Sequence, residues 1–323
     1  MIKKQRQTPL IIPKLEVLLR RLPKHHLKRA DIKKDLAKWV AGYKGEESLN
    51  FHLEQLNPLK YLILHDLRLP HGKYHFQIDT LLITSRYLLI VEVKNISGTL
   101  YFDKTTQQMI RTKNEQEDGF QDPITQAKKL RTKLKSFLAG FNIPELPIEY
   151  LIIISNSSTV LKFSDNHPEL VTRITHAANL EDKITYLERN HQADILGQKT
   201  IQKLIRVLIK NHNPLQTDVM NLYSIEKSSI LTGVYCSVCS FLPMKRITAN
   251  WHCPNCGHKC NDAHIEALND YSLLFGNVIS NSQCRSFLHV ETRFVAYQLL
   301  HNLGLSSTGS KKGTTYILPP PSC

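Results

Sequence analysis

Residues 74–95 read Tyr74-His-Phe-Gln-Ile-Asp79-Thr-Leu-Leu-Ile83-Thr-Ser-Arg-Tyr87-Leu-Leu-Ile-Val-Glu92-Val-Lys94-Asn95. Two apolar runs, 74–83 and 87–94, are parted by Thr84-Ser85-Arg86. Aliphatic and aromatic residues bounded by turn formers predict two neighbouring strands. Three charges interrupt them: Asp79, Glu92 and Lys94. Side chains two apart on a strand share a face, so Glu92 goes with Lys94 and Gln77 with Asp79. Charges among Leu, Ile and Val cost free energy unless they pair, bind a metal or line a cleft. In an antiparallel meander, all three can meet at one place. The chemistry they suit is phosphodiester hydrolysis. Two carboxylates hold Mg²⁺ or Mn²⁺, the ion polarises a phosphoryl oxygen, and a lysine positions water or stabilises the developing charge.

Outward from this pair, Tyr61–Leu69 and Gly98–Phe102 extend the meander, with Pro70-His71-Gly72 as a turn. Leu36–Leu56 has apolar residues near helical spacing and ends at Asn57-Pro58. Residues 104–122 are polar and read as irregular. Pro123 opens a helix to Leu138, a place where its missing N–H costs nothing. Tyr150–Ser155 reads as a buried strand. The fold class is α/β, a sandwich over 36–175. Amphipathic helices at Leu180–Arg189 and Lys199–Lys210 form an extension over 176–215.

Several pieces together resemble the NERD, or nuclease-related, domain of the PD-(D/E)xK nuclease superfamily, over residues 42–160. They are Gly45-Glu46, Gln77-Ile78-Asp79, Glu92-Val93-Lys94-Asn95 with Gly98, and Asp122-Pro123 with Gln126. The resemblance implies a restriction-endonuclease-like core and a catalytic set of Glu46, Asp79, Glu92, Lys94 and Gln126. In that set Asp79 and Glu92 are the principal Mg²⁺ or Mn²⁺ ligands, Glu46 assists them, Lys94 is catalytic and Gln126 contacts site or substrate. Glu47 competes with Glu46 for the inward position, and the family pattern favours Glu46. Asp122 stands where the family more often has Asn. His65, His71 and His75 read as loop or edge residues.

Cys236-Ser237-Val238-Cys239 and Cys253-Pro254-Asn255-Cys256 are two CxxC knuckles. Each puts two thiolates on a tight turn, and four can close a tetrahedral shell around structural Zn²⁺. A zinc ribbon over 230–262 is expected. After it, over 263–323, come helices at Glu266–Phe275, Gln283–Leu288 (capped by Asn281 or Ser282) and Glu291–Leu303. A basic Gly-bounded hairpin then ends in the strand Thr315–Leu318. This order resembles a helix-turn-helix with a wing.

The 323 residues carry 42 Lys and Arg against 28 Asp and Glu, a net charge of +14. Residues 1–40 hold twelve of the cations and three of the acids. A basic arm over 1–35 fits a polyanion. Candidate DNA contacts are Lys28, Arg29, Lys33 and Lys34 on the arm, Lys245 and Arg246 on the ribbon, and Arg293, Lys311 and Lys312 on the winged segment. No apolar run approaches the length of a membrane span, and no secretory signal is evident. Paired CxxC motifs point to a reducing, cytoplasmic setting. The reading is a metal-dependent DNA endonuclease or nickase whose partner is DNA, with homodimerisation left open. The alternative is a non-catalytic DNA-binding replication or regulatory factor on a degenerate nuclease fold.

Overall fold

The computed structural model describes residues 1–164 and 167–319, with the side chain of Lys312 outside the described residues. The chain makes two units, Met1–Thr8 with Val40–Leu215, and Pro9–Trp39 with the chain from Gln216 onward. It starts with β1 (Ile2–Lys4), α1 (Ile11–Arg21), α2 (Arg29–Ser48) and α3 (Asn50–Glu54). Six strands follow: β2 (Leu62–His71), β3 (Tyr74–Ile83), β4 (Leu88–Lys94), β5 (Thr99–Asp103), β6 (Gln108–Lys113) and β7 (Gln116–Gln121). Then come α4 (Pro123–Ala139), β8 (Ile148–Ile154), β9 (Val160–Phe163), α5 (Pro168–Arg173), β10 (Ile174–His176), α6 (Leu180–Arg189) and α7 (Gln198–Lys210).

The first unit is built on a six-stranded sheet in the order β1-β2-β3-β4-β8-β10. β2, β3 and β4 are the expected antiparallel meander. β8 returns parallel to β4 after the α4 crossover, as a parallel neighbour requires. β4 is apolar on both faces because both are covered. Leu88 and Ile90 join Ile124, Ala127 and Leu134 of α4 in one core. Leu89, Val91 and Val93 join Leu49, Leu53 and Ile184 in the other.

Three expectations differ from this structure. The irregular stretch at 104–122 contains the hairpin β6–β7, part of a second sheet in the order β7-β6-β5-β9. Its faces are mostly exposed, with only Met109 buried, so it carries no apolar alternation. Its turn, Asn114-Glu115, takes φ of +51° and +63°, the left-handed pair that a two-residue hairpin loop needs. Gly98–Phe102 therefore belongs to this second sheet and not to the meander. The helix expected at Leu36–Leu56 starts earlier, at Arg29, and breaks at Leu49 into α2 and α3.

The basic arm over 1–35 is also not a free arm. β1 pairs parallel with β2. α1 buries Ile11, Ile12, Leu15, Val17 and Leu18 in the second unit. Its cations masked an ordinary amphipathic helix. Arg21 is fully buried, with Nε donating to Asp270 Oδ2 at 2.6 Å. The Phe287 ring centroid lies 4.6 Å from its guanidinium carbon.

The second unit continues with α8 (Val219–Leu222), β11 (Lys245–Ile247), β12 (Asn250–His252), β13 (Lys259–Cys260), α9 (His264–Phe275), β14 (Val278–Ser280), α10 (Asn281–Leu288), α11 (Arg293–Asn302), β15 (Ser307–Thr308) and β16 (Thr315–Ile317). β11, β12 and β13 form the small ribbon sheet, and β14-β16-β15 a second one beside α10 and α11. The cap of α10 is Ser280, one residue before the expected positions, in a reciprocal capping box with Gln283. No helix among the described residues is long and apolar enough to cross a membrane.

Candidate active site and cysteine cluster

β3 pairs with β4 only from Thr80 to Ile83, but stays on β2 as far as Tyr74. The strands part at Asp79 and Glu92. There Asp79 Oδ2 accepts from Val93 N at 3.0 Å, replacing the backbone acceptor that β3 has withdrawn. Glu92 is buried on the α4 side of the sheet, one strand period beyond Ile90. Lys94 Nζ donates to Glu92 Oε1 at 2.8 Å and to Gln126 Oε1 at 3.0 Å. Gln126 Nε2 closes the triangle on Glu92 Oε1 at 2.9 Å. Gln126 stands in the first turn of α4, which Asp122 caps by accepting from Ile124 N and Thr125 N at 3.2 and 2.9 Å. Asn and Asp are both strong caps, so Asp122 holds the helix that presents Gln126.

Gly45 explains how α2 reaches this place. A Cβ there would lie 2.4 Å from Asn95 Cβ and 2.9 Å from Ser155 Oγ. Only glycine lets the helix approach the ends of β4 and β8 so closely, and Asn95 Nδ2 donates to Ala41 O at 2.7 Å beside it. The next residue, Glu46, turns inward, while Glu47 is exposed.

Sequence reasoning missed what Glu46 meets. Arg6 Nη1 donates to Glu46 Oε2 at 2.6 Å and to Asp66 Oδ1 at 2.9 Å. Arg6 Nη2 donates to Thr80 Oγ1 at 2.9 Å and lies 3.0 Å from His65 Nδ1. His65 is fully buried and not an edge residue. Nothing in the local sequence marks Arg6 or Asp66, because a three-residue strand brings the arginine in.

Burial, with the charges of Glu92 and Glu46, pushes the Asp79 carboxyl well above the usual range. Burial also pushes Glu46 up to about 7, with Asp66 and Glu92 adding to it and Arg6 opposing. Burial and the nearby Arg6 and Lys4 hold His65 down at about 3. It is therefore neutral, and with Nδ1 accepting from Arg6 its proton sits on Nε2. Among the described residues, Asp79 Oδ1 and Glu92 Oε2 have no hydrogen-bond partner, and neither is sealed from solvent. Crowded carboxylates with free hard oxygens fit a divalent cation that keeps part of its water shell.

The four knuckle cysteines come together as their spacing predicts. Their Sγ atoms all lie within 4.8 Å of one another, and among the described residues they are the only such group of three or more His, Cys, Asp or Glu. Trp251 on β12 is fully buried beside them, with Nε1 donating to His264 Nδ1 at 3.3 Å. Four thiols at this separation suit a metal ion. Glu46, Asp79 and Glu92 do not converge in this way.

The expected DNA contacts divide. Lys28, Lys33, Lys34, Lys245, Arg293 and Lys311 are exposed. Arg29 instead caps α1, with Nη1 donating to Leu19 O at 2.5 Å and Leu22 O at 2.9 Å. Arg246 lies over the Trp251 ring at 5.2 Å, and its Nε and Nη1 are buried. Both cations are occupied by the fold, and the Lys312 side chain lies outside the described residues.

No curated protein and no solved structure matches the chain. Residues 41–155 match the family model of the nuclease-related domain, NERD. That segment carries Gly45, Glu46, Asp79, Glu92, Lys94 and Gln126, and it excludes Arg6 and the cysteine cluster. Residues 41–155 of this chain are thus a nuclease-related domain.

Proposed function

We propose that the protein is a Mg²⁺- or Mn²⁺-dependent deoxyribonuclease, an endonuclease or nickase that hydrolyses phosphodiester bonds. The observation that carries this reading is the parting of β3 from β4, which leaves a free oxygen on each of Asp79 and Glu92 beside a lysine held by two partners. Asp79 and Glu92 would hold the ion, and Glu46 would support them. When bound, the ion polarises the phosphoryl oxygen and acidifies water. Lys94 keeps its ammonium where charge develops on the phosphate or where water must be oriented. Gln126 fixes Lys94 and Glu92 against each other, so little reorganisation is needed on binding.

The four cysteines would hold Zn²⁺ in a closed S₄ shell, a structural role because no position is left for substrate. DNA would be gripped by cations of the second unit. Lys28, Lys34 and Lys38 line a groove of about 420 Å³ with Asp31, Asp35 and Tyr223. α11 presents Arg293, Phe294 and Tyr297 to solvent, next to a small sheet, as a winged helix would. Incubation of the protein with supercoiled plasmid and Mn²⁺ or Mg²⁺ tests the reading, beside Glu92→Ala and Lys94→Ala. Nicked or linear product from wild type alone supports it. Intact plasmid in all three, with binding retained, leaves the non-catalytic DNA-binding factor.

A further inference from the structure

We propose that Arg6 is a positioning residue of the hydrolytic site, carried in by the N-terminal strand from outside the nuclease-related segment, and that it holds Glu46 beside Asp79 and Glu92. This rests on the reading of that site as a metal-dependent hydrolytic centre.

The Arg6 side chain is 3% exposed and has four partners on three elements: Glu46 on α2, Asp66 and His65 on β2, and Thr80 on β3. Three of these hold the guanidinium without Glu46. Among the described residues, Arg6 is the only cation paired with the Glu46 carboxylate, through Oε2. The arginine is therefore the fixed member of the pair and the glutamate the dependent one.

The surroundings are shaped for the arginine. Asp66 stands at φ +52°, a left-handed conformation inside a strand. Such backbone is costly for a non-glycine residue and persists where its surroundings enforce it. It turns Asp66 Oδ1 to Arg6, while Oδ2 accepts from Gln7 N at 3.1 Å. The parallel pairing of β1 with β2 fixes the segment just before Arg6. Arg6 Nε is buried without a hydrogen-bond partner among the described residues. Thr80, which Arg6 binds, is the outermost β3 residue paired with β4, next to Asp79 where the strands part. The guanidinium thus links the glutamate helix to the strand that bears Asp79.

The test uses the full zinc-loaded chain as wild type, Arg6→Ala, Arg6→Lys, Glu46→Gln, and the double variants. Three quantities are measured: Mn²⁺ dissociation constant by electron paramagnetic resonance, plasmid-nicking rate at saturating DNA, and melting temperature. Arg6→Ala is expected to lose about 10–100-fold in nicking rate or Mn²⁺ affinity, the usual cost of removing a group that orients a ligand. The KM for plasmid should not move, because Arg6 is buried. Arg6→Lys should recover only part, since a lysine cannot span both pairs of acceptors. In the Glu46→Gln background, Arg6→Ala should cost no more than about a further twofold, because coupled residues are not additive.

A melting temperature that falls while rate and Mn²⁺ affinity hold in the folded protein would overturn the proposal. So would fully additive losses, or faster nicking with tighter Mn²⁺ binding, which would make Arg6 a brake. If Arg6→Ala does not fold, the cycle of Arg6→Lys with Glu46→Gln decides by the same criterion. Failure of wild type to nick plasmid defeats the hydrolytic reading separately, and Mn²⁺ affinity still decides the role of Arg6.

Discussion

The cysteine cluster and the carboxylate site are built in opposite ways. Four thiols from residues 236–256 lie within 4.8 Å of one another, held by two tight turns and a buried tryptophan. The carboxylate site draws on β1, α2, β2, β3, β4 and α4, from Arg6 to Gln126. Its acids stay apart, two of them braced by cations. A thiol cluster can assemble neutral and lose protons when metal arrives. Carboxylates that crowd without a cation repel one another or take up protons, so their frame must bear that cost. The first site is specified by turns, the second by topology.

The largest effect that would break this contrast concerns the thiols. Cys236→Ser with Cys253→Ser, or removal of bound metal with a strong chelator, should unfold the region around β11–β13. Structural zinc contributes on the order of 10 kcal/mol to such small modules. Hydrogen exchange should show the loss there and leave the six-stranded sheet protected. Equal loss in both would mean the two sites are not separately held.

Next in size, Lys94→Ala should cut plasmid nicking by about 10²–10³-fold, the range for removing a group that stabilises transition-state charge. Gel assays at matched DNA occupancy would show it. A tenfold change or less would leave Lys94 only as the counter-ion of Glu92. Gly45→Ala should cost about 1–3 kcal/mol in thermal or urea unfolding, as overpacking does, because its Cβ meets Asn95 and Ser155. It should also slow nicking by displacing Glu46. An unchanged rate would show that α2 tolerates the shift.

The smallest effect is one of pH. Burial alone would raise the Glu169 carboxyl, but hydrogen bonds from Lys128 and Tyr150 outweigh it and hold it at about 2. A carboxylate depressed on folding stabilises above its unfolded value, here 4.5, and loses that contribution as pH falls through the folded value. Glu169→Gln should therefore flatten the acid limb of a stability curve between these two values. An unchanged limb would locate the acid sensitivity elsewhere, at the carboxylate site itself.

How much the sequence disclosed follows the same division. Cys236, Cys239, Cys253 and Cys256 were legible because their partners are close in the chain. Asp79, Glu92 and Lys94 were legible because charge inside an apolar strand is anomalous. Glu46 and Gln126 came from the nuclease-related resemblance, and the buried Gly45 and the cap at Asp122 now give each a local reason. Arg6, Asp66 and His65 were not legible. Arg6 looked like one more cation in a basic segment, and its partners are 40 to 74 residues away. The β6–β7 hairpin escaped because its polar faces carry no period. Arg29 and Arg246 were counted as free charge, yet one caps a helix and the other covers an indole.

The pairing of Arg21 with Asp270 also bears on biosynthesis. α1 is synthesised well before α9, and the carboxylate that neutralises its buried arginine is 249 residues further on. Until then its apolar stripe and its cation have no home. The nuclease-related segment between them can be complete while the flanking unit is still open. A nascent chain stalled before α9 would therefore display an amphipathic, positively charged helix, the kind of segment that holding chaperones bind and proteases cut.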